Sequence, residues 1–315
     1  MKILIIRYSS LGDVVIATSV IKAIYDRFKP VLIDFLTDCK YIPIFSSNPF
    51  INRVIGFDRS ADRIAEFLRL KREVDHYDLT LDLQGKVFSA LIGRISSPKG
   101  YLRFSKRMFW KNYELEHILD QYARFLKVIG VELIEKRYFL FYSRRKGDKV
   151  IGINIEGGHI SKRLSMGQLF KITEHVTALG FKVVLIGSHI SAQLARDIMC
   201  RYKNVLDTTS ADIKGLIETI SGLNVLITPD SGPLHIASAL RVPTVAIFGS
   251  TPSSRWLPKD GHFSLIASDY DCSPCSDYGT SICSSMKSFG CIRGISADII
   301  TSEALRLYES YKEED

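Results

Sequence analysis

The stretch of residues 223–249, LNVLITPDSGPLHIASALRVPTVAIFG, constrains the fold of this chain most strongly. It opens with a short apolar run rich in branched side chains, which is typical of a strand buried on both faces of a parallel sheet. Pro229 ends that strand, and Ser231 or Asp230 can cap a helix whose first turn accommodates Pro233. A second apolar run follows at once and predicts the next strand.

The turn between strand and helix predicts a phosphate site. A strand that enters a helix through a Ser-Gly turn leaves backbone N–H groups unpaired at the helix N-terminus, where the helix dipole also favours negative charge. Ser231 and Gly232 supply that turn, and His235 lies close enough to donate to a phosphate oxygen. The alternative is that these residues only begin a helix and that His235 lies at the surface or packs in the core. Both interpretations stay open at this point.

Strands alternate with helices in both halves of the chain. Strand-like runs occur at residues 2–8, 31–36, 54–57, 77–83, 149–155, 181–187, 205–208, 223–228 and 242–248. This pattern predicts an α/β fold with two doubly wound, Rossmann-like parallel sheets that face a cleft. The polar segment 143–148 predicts the linker, which gives an N-terminal domain at 1–146 and a C-terminal domain at 147–295. Residues 296–315 are expected to form a helix that crosses back to the first domain.

The charge of the chain is unevenly distributed. Residues 1–146 hold 26 Lys and Arg against 16 Asp and Glu, whereas the rest holds 16 against 18. The first domain should therefore meet an anionic membrane surface, nucleic acid or substrate. The segment 99–111 mixes basic with aromatic residues, which suits lipid headgroups or a phosphorylated acceptor, and a solvated basic loop is the alternative.

Two features of the sequence bear on location. No apolar run reaches the roughly 18–20 residues of a membrane span, and the chain enters a strand pattern from its first residues rather than a signal peptide. We therefore expect a cytoplasmic protein.

Ligands of open parallel sheets bind beyond the carboxyl ends of the strands. In the first domain this rule selects the loop at residues 9–13, where Asp13 is the best carboxylate for proton abstraction. A carboxylate at a helix N-terminus is stabilised in its charged form, so it serves as a base only if the acceptor hydroxyl loses its proton late. A helix cap without a catalytic role is the alternative for Asp13.

In the second domain, the loops at residues 156–163 and 230–235 suggest a nucleotide diphosphate. Gly157 and Gly158 permit close backbone approach, and Lys162 offers a point charge to a phosphate, although an isolated lysine is more often solvated. The dinucleotide fingerprint G-x-G-x-x-G is absent, which disfavours an oxidoreductase. No recognised nucleic-acid-binding module accompanies the basic charge.

Three motifs together carry a resemblance to a known family. They are SSLGDVV at residues 9–15, Lys162-Arg163 after a glycine-rich strand end, and DSGPLH at 230–235 followed by VPTVAIFGSTP. In these motifs the chain resembles the ADP-heptose:lipopolysaccharide heptosyltransferases, glycosyltransferase family 9. The resemblance implies a GT-B fold and an inverting, metal-independent transfer of a heptose from ADP-heptose to an inner-core sugar of lipopolysaccharide.

The resemblance also implies roles for particular residues. Asp13 matches the general base of the family, and Lys162 matches its phosphate-contacting lysine. The predicted donor-binding residues are Gly157, Gly158, Lys162, Asp230, Ser231, Gly232 and His235. The predicted acceptor-binding residues are Ser10, Gly12, Gln84, Arg103, Lys106 and Arg107. The implied partners are a nucleotide sugar such as ADP-heptose, an anionic lipopolysaccharide precursor and the inner face of the cytoplasmic membrane, with no nucleic acid and a monomeric protein.

Two departures from the family pattern stand out. Leu164 and Ser165 follow Arg163, where many members continue with Trp-Pro. Residues 188–193 contain no carboxylate, where many members have an acidic residue that can bind the ribose, so the ribose contact is unassigned. The alternatives are a family 9 transferase for another nucleotide sugar or a protein acceptor, and a non-catalytic nucleotide-sugar-binding protein of the same fold.

Four cysteines form a cluster near the end of the second domain, Cys272, Cys275, Cys283 and Cys291. A secreted disulfide framework is not expected in a chain of this length. Four thiolates could hold zinc or iron in a tetrahedral structural site, and free thiols or a disulfide are the alternative. In either case catalysis is expected to need no cofactor.

Overall fold

The computed structural model describes residues 1–74, 76–104, 116–145, 148–283, 285–286 and 288–311. The chain divides into two compact units, Met1–Phe141 and Tyr142–Asp315. Each unit contains one parallel sheet with helices in the connections, so the predicted α/β class with two parallel sheets is confirmed. The predicted domain limits after residues 146 and 295 stay predictions.

The first unit holds a five-stranded sheet in the order β3-β2-β1-β4-β5. Its strands are β1 (Lys2–Ile6), β2 (Leu32–Asp38), β3 (Arg53–Phe57), β4 (Leu79–Asp82) and β5 (Tyr101–Arg103). Its helices are α1 (Leu11–Phe28), α2 (Arg63–Glu73), α3 (Val87–Ser96) and α4 (Ile118–Lys127). All neighbouring strands are parallel.

The second unit holds a six-stranded parallel sheet in the order β11-β10-β9-β6-β7-β8. Its strands are β6 (Val150–Asn154), β7 (Lys182–Ile186), β8 (Val205–Asp207), β9 (Val225–Pro229), β10 (Thr244–Phe248) and β11 (Phe263–Ala267). Its helices are α5 (Met166–Ala178), α6 (Ala192–Arg201), α7 (Ile213–Ser221), α8 (Gly232–Ala239), α9 (Ser253–Trp256), α10 (Gly290–Arg293) and α11 (Ala297–Ser310).

The central strands have no polar face. Ile3 and Leu4 in β1 point to opposite faces of the sheet, yet both are completely buried, and every residue of β9 is buried as well. Helices cover both faces of such a sheet, which explains why these strands read as continuous apolar runs rather than as an alternating pattern.

The strand order of each sheet reverses at one point. In the first sheet the chain runs from β1 to β3 in one direction and places β4 on the other side of β1. In the second sheet the same reversal occurs between β6 and β9. Ligands of open α/β sheets bind beyond the carboxyl ends of the strands at this switch point, because the neighbouring connections diverge there. The loops after β1, β4, β6 and β9 are therefore the candidate ligand-binding regions.

Local signals explain where several helices begin and end. Helix α5 begins with a capping box at Ser165, since its backbone N–H donates to Gln168 Oε1 at 2.8 Å and its Oγ accepts from the Gln168 backbone N–H at 3.3 Å. Ser231 is the N-cap of α8, with Pro233 in the first turn. Helix α1 ends at Phe28, because Pro30 cannot continue it.

The structure differs from the sequence expectation in several elements. Strand β5 was not predicted, because it has only three residues and lies in the basic segment 99–111. Strand β11 was not predicted, because it is an edge strand on which Leu265 is exposed, which weakens the apolar signal. The residues directly before the predicted linker, 128–142, form no strand. Residues 146 and 147 of the predicted linker lie outside the described residues.

The C-terminal helix α11 belongs to the second unit. It packs against α5 and against β9, β10 and β11, with Tyr308 edge-on to Phe181 at 4.8 Å between ring centroids. That residues 296–315 cross back to the first domain stays a prediction. No described helix is both long and apolar enough to span a membrane.

Candidate functional site

In the first unit, the loops after β1 and β4 are joined by one side chain. Gln84 Oε1 accepts hydrogen bonds from the backbone N–H groups of Tyr8 and Ser9, each at 3.1 Å, and Gln84 Nε2 donates to Ser9 Oγ at 3.1 Å. The amide of Gln84 thereby fixes the course of both loops. The predicted residues gathered at this sheet edge are Ser10, Gly12, Asp13 and Gln84.

Asp13 lies at the start of α1 and has three donors around one oxygen. Its Oδ2 accepts from the Ser10 backbone N–H at 3.1 Å and from Ser10 Oγ at 2.9 Å, and a guanidinium nitrogen of Arg7 lies 2.6 Å away. The contacts with Ser10 make Asp13 part of the capping box of α1. All three donors stabilise the negative charge of the carboxylate.

Arg7, the second-last residue of the apolar run KILIIRY at residues 2–8, was not singled out by its sequence pattern. The guanidinium is almost fully buried and also donates to the carbonyl oxygen of Leu83 in the loop after β4. Burial opposes its positive charge, but the acidic groups around it, Asp13 first, together outweigh burial and raise the pKa of Arg7. Burial also raises the pKa of the nearby Tyr122 to about 12, so that phenol stays neutral. Arg7 and Asp13 therefore form a largely buried ionised pair.

Arg103, another predicted acceptor residue, reaches the same edge of the first sheet. It is exposed at the end of β5 and donates to the carbonyl oxygen of Gly85. Gly85 has a φ of +66°, and a Cβ there would lie 2.9 Å from the carbonyl oxygen of Phe104, so this turn requires glycine. The predicted residues Lys106 and Arg107 lie outside the described residues.

In the second unit, the structure brings together two of the predicted donor residues. Lys162 Nζ, in the turn after β6, lies 2.6 Å from Oδ2 of Asp230, which directly follows β9. Thr251 Oγ1, after β10, donates to the same oxygen at 2.8 Å. The lysine and aspartate side chains are only 12% and 7% exposed. Sequence patterns did not single out Thr251, because its contact depends on the order of the strands.

Two glycines shape the loops around Lys162. A Cβ at Gly157 would lie 3.0 Å from Cβ of Lys162, and a Cβ at Gly279 would lie 2.8 Å from its Cε. Gly279 also has a φ of +98°, which disfavours any other residue. Nothing lies within 4 Å of the Cβ position at Gly158, so the space beside this backbone is open, and the close approach of a bound group stays a prediction.

The N-terminus of α8 begins beside this ion pair. Asn154 Nδ2, at the end of β6, donates to Thr228 Oγ1 and to Ser231 Oγ, each at 2.9 Å, and thereby holds the helix start against the sheet. Gly232 opens the helix, so its positive dipole end lies at the carboxyl edge of the sheet. His235 is buried in the first turn. Its contact with a phosphate stays a prediction.

A carboxylate does occupy the end of β7, although residues 188–193 contain none. Glu156 comes from the loop after the neighbouring strand β6, and its Oε2 accepts three hydrogen bonds. The donors are the Ser188 backbone N–H at 2.7 Å, Ser188 Oγ at 2.8 Å and Ser191 Oγ at 2.9 Å. Glu156 was not identified from the sequence, because the acid was expected in residues 188–193, directly after β7, and Glu156 follows β6 instead.

The cysteine cluster does not form a metal-binding group in the part of the chain that the structure describes. No three or more His, Cys, Asp or Glu side chains there are arranged to hold a metal ion. Cys272, Cys275, Cys283 and Cys291 form no disulfide among the described residues. Burial raises the pKa values of Cys275 and Cys291, and the proximity of the other cysteines raises them further.

Comparisons with known proteins agree with this architecture. The chain is 26% identical over 296 residues to lipooligosaccharide heptosyltransferase 2 of Campylobacter jejuni subsp. jejuni serotype O:2, covering 87% of this chain and 89% of that protein. Two solved structures share the fold. They are E. coli ADP-heptose LPS heptosyltransferase II (TM-score 0.77, 18% identity, 99% of this chain and 100% of that chain) and E. coli heptosyltransferase WaaC with ADP (TM-score 0.75, 14% identity, 98% and 100%).

The two parallel sheets are accordingly those of a GT-B heptosyltransferase fold. A family model described as glycosyltransferase family 9 (heptosyltransferase) matches residues 67–284, which is more than half of the 315 residues. The chain therefore belongs to glycosyltransferase family 9, the heptosyltransferases.

Proposed function

We propose that this protein is an inverting, metal-independent heptosyltransferase that transfers a heptose from ADP-heptose to an inner-core sugar of lipopolysaccharide or lipooligosaccharide. The observation that carries the proposal is the Lys162–Asp230 pair beside the N-terminus of α8, at the switch point of a parallel sheet. A matching family model and the heptosyltransferase relatives support the choice of sugar.

The donor side of the reaction needs positive charge for the departing ADP. The Lys162 ammonium and the backbone N–H groups at the start of α8 supply it, and both are fixed before the reaction begins. Asp230 holds the Lys162 ammonium in place, and the hydroxyl of Thr251 holds Asp230, because Oδ2 of this carboxylate accepts from both groups. These groups stabilise the negative charge of the departing diphosphate, as a metal ion does in other transferases. Catalysis is therefore proposed to run without one.

The acceptor side needs a base, and Asp13 is the proposed base. Inversion in a single displacement requires the acceptor hydroxyl to attack the sugar carbon on the side opposite the leaving diphosphate. The first unit carries Asp13, and the second carries the groups for the leaving diphosphate. Because Arg7 and Ser10 stabilise the carboxylate, we propose that the acceptor proton moves late, once bond formation has made the hydroxyl acidic.

The acceptor is proposed to be an anionic lipopolysaccharide precursor at the inner face of the cytoplasmic membrane. The net positive charge of residues 1–146 supports this assignment, as does the exposed guanidinium of Arg103 at the edge that carries Asp13. The basic segment that contains Lys106 and Arg107 is proposed to add to this surface. The protein is proposed to act as a monomer that associates peripherally with the membrane.

Asp13→Asn tests the proposed base. The amide keeps the size of the side chain but cannot take up a proton, so we expect the rate of heptose transfer to fall about 10²- to 10⁴-fold. The affinity for ADP, measured by calorimetry, should stay unchanged, because Asp13 belongs to the other unit. Asp26→Asn is the matched control, since Asp26 lies on the same helix in an exposed pair with Lys22. Transfer at the wild-type rate in Asp13→Asn would remove Asp13 from the mechanism.

Lys162→Met tests the proposed phosphate contact. It removes one charge-assisted hydrogen bond to the diphosphate and leaves Asp230 unpaired beside it, so we expect ADP to bind about 10- to 100-fold more weakly. Lys171→Met serves as the control, because Lys171 is half exposed on α5 and pairs with Asp298. Equal affinity of wild type and Lys162→Met for ADP, measured by calorimetry, would exclude Lys162 from the donor site.

A further inference from the structure

We propose that the first unit docks on the bilayer through an exposed apolar surface on α2 and α3. This α2–α3 face consists of Ile64, Leu68, Val87 and Leu91, and its partner is a lipid surface with anionic headgroups. The inference rests on the proposed function only for the location of the acceptor. It names the surface that makes the membrane contact.

The four side chains of the α2–α3 face are exposed to solvent. Ile64 and Leu68 are 71% and 48% exposed, and Val87 and Leu91 are 77% and 48% exposed. Each pair is spaced i,i+4, so each forms a ridge along one side of its helix. The helices α2 and α3 pack against each other, which places the two ridges on neighbouring helices. Such an apolar surface on a folded protein marks an interaction site.

A cavity of about 520 Å³ opens between the two ridges. Ile64 and Leu91 both line it, which shows that the ridges flank a single opening. Its floor is aromatic: the rings of Phe57 and Phe88 stack with centroids 4.9 Å apart, and Phe67 lies edge-on to Phe88 at 6.3 Å. The apolar surface therefore continues inward from the ridges, and an acyl chain or the apolar part of a glycolipid fits it.

Positive charge surrounds this apolar surface. The cavity is lined by Arg59, Arg63 and Lys86, whereas no carboxylate is among its lining residues. Arg63 lies 5.6 Å from the ring centroid of Phe57 and makes no ion pair with any described carboxylate, and neither does Lys86. Aliphatic side chains beside unpaired cations are the composition of helices that lie in the headgroup region of anionic membranes.

The same charges argue against a second copy of this chain as the partner. Two α2–α3 faces pressed together would bring Arg63 and Lys86 of both copies, none of them in an ion pair with a described carboxylate, into one interface. Like charges at an interface oppose association. An anionic bilayer, in contrast, provides both the hydrocarbon for the ridges and the negative charge for the cations.

Flotation with vesicles tests the proposal. Wild-type protein should bind vesicles of phosphatidylcholine mixed with phosphatidylglycerol and bind pure phosphatidylcholine far less. The double variant Ile64→Ser/Val87→Ser should lose about tenfold in partitioning for each side chain, because each stops burying its apolar surface. Arg63→Gln/Lys86→Gln should lose the preference for the anionic vesicles.

Ile134→Ser is the matched control, because Ile134 is an equally exposed isoleucine of the same unit that does not line this cavity. The proposal is overturned if the Ile64/Val87 variant floats like wild type, or if Ile134→Ser loses as much. It is also overturned if wild type forms a dimer in solution that the Ile64/Val87 variant lacks. Affinity for ADP in the same samples reports separately on the proposed donor site.

A second inference comes from Glu156 in the other unit, and it rests on the proposed ADP donor. We infer that the free oxygen of this carboxylate accepts hydrogen bonds from the ribose hydroxyls of the nucleotide. Oε2 is saturated by Ser188 and Ser191, whereas Oε1 has no hydrogen-bond partner among the described residues. A carboxylate held in this way is oriented in advance and can take a hydroxyl donor.

The order of the strands indicates where the nucleoside lies. The phosphate-binding groups sit at the ends of β6 and β9, so the nucleoside extends toward either β10 or β7. The end of β10 is covered, since the Ser250 carbonyl oxygen accepts from the backbone N–H groups of Cys275 at 3.0 Å and Ser276 at 2.9 Å. The β7 side carries Glu156. Glu156 thus replaces the missing acid of residues 188–193 from the next strand.

The affinities for ADP and 2′-deoxy-ADP test this role. Wild type should prefer ADP about tenfold, which corresponds to one hydrogen bond to a charged group. Glu156→Gln should bind both ligands with the affinity that wild type has for 2′-deoxy-ADP, whereas Glu174→Gln on α5 should behave as wild type.

Three outcomes would contradict the role of Glu156. Equal weakening of both ligands in Glu156→Gln would show that Glu156 only shapes the loop, and no weakening would place it outside the site. If wild type binds ADP and 2′-deoxy-ADP equally, this inference fails and the ADP donor stands. If wild type binds neither, the proposed donor fails as well.

Discussion

The ion pair between Lys162 and Asp230 is the interaction on which the proposed donor site depends. Burying two charges costs more than their attraction returns unless further groups satisfy them. Thr251 adds a hydrogen bond to the carboxylate, and Gly157 and Gly279 leave room for the lysine stem. The pair joins loops that follow β6 and β9, the two strands between which the sheet order reverses. A bound diphosphate would give this lysine a second anionic partner and so offset part of the free-energy cost of burying its charge.

The first unit contains the opposite arrangement. There the cation of Arg7 supports a carboxylate, Asp13, whereas in the second unit a carboxylate supports the cation of Lys162. Both pairs lie at the switch point of a parallel sheet, and both are anchored by a helix N-terminus close by, that of α1 or that of α8. One unit thus presents negative charge suited to a hydroxyl proton, and the other presents positive charge suited to a leaving diphosphate. This division of charge is the physical basis of the proposed transfer.

Sequence patterns predicted most of the secondary structure, because the central strands are continuous apolar runs and the helices have clear caps, as at Ser165 and Ser231. They missed β5, which lies in the basic segment 99–111, and β11, an edge strand on which Leu265 is exposed. The rule that ligands bind beyond the carboxyl ends of the strands placed Lys162 and the motif at Asp230 in one predicted diphosphate site, and the family resemblance added the role of each residue. Thr251 and Glu156 could not be found from local spacing, because each contacts a residue of another loop and the strand order brings those loops together. Arg7 pairs with Asp13 close by in the chain, but its place in an apolar run gave no sign of this ion pair.

The most direct test of the account is transfer itself. Purified protein would be mixed with ADP-heptose, a heptose-free lipopolysaccharide precursor and a metal chelator, and the mass and linkage of the product measured. We expect an acceptor heavier by one heptosyl residue, release of ADP and an inverted anomeric linkage, all in the presence of the chelator. Loss of transfer on chelation, retention of configuration, or transfer from a GDP- or UDP-sugar but not from ADP-heptose would contradict it.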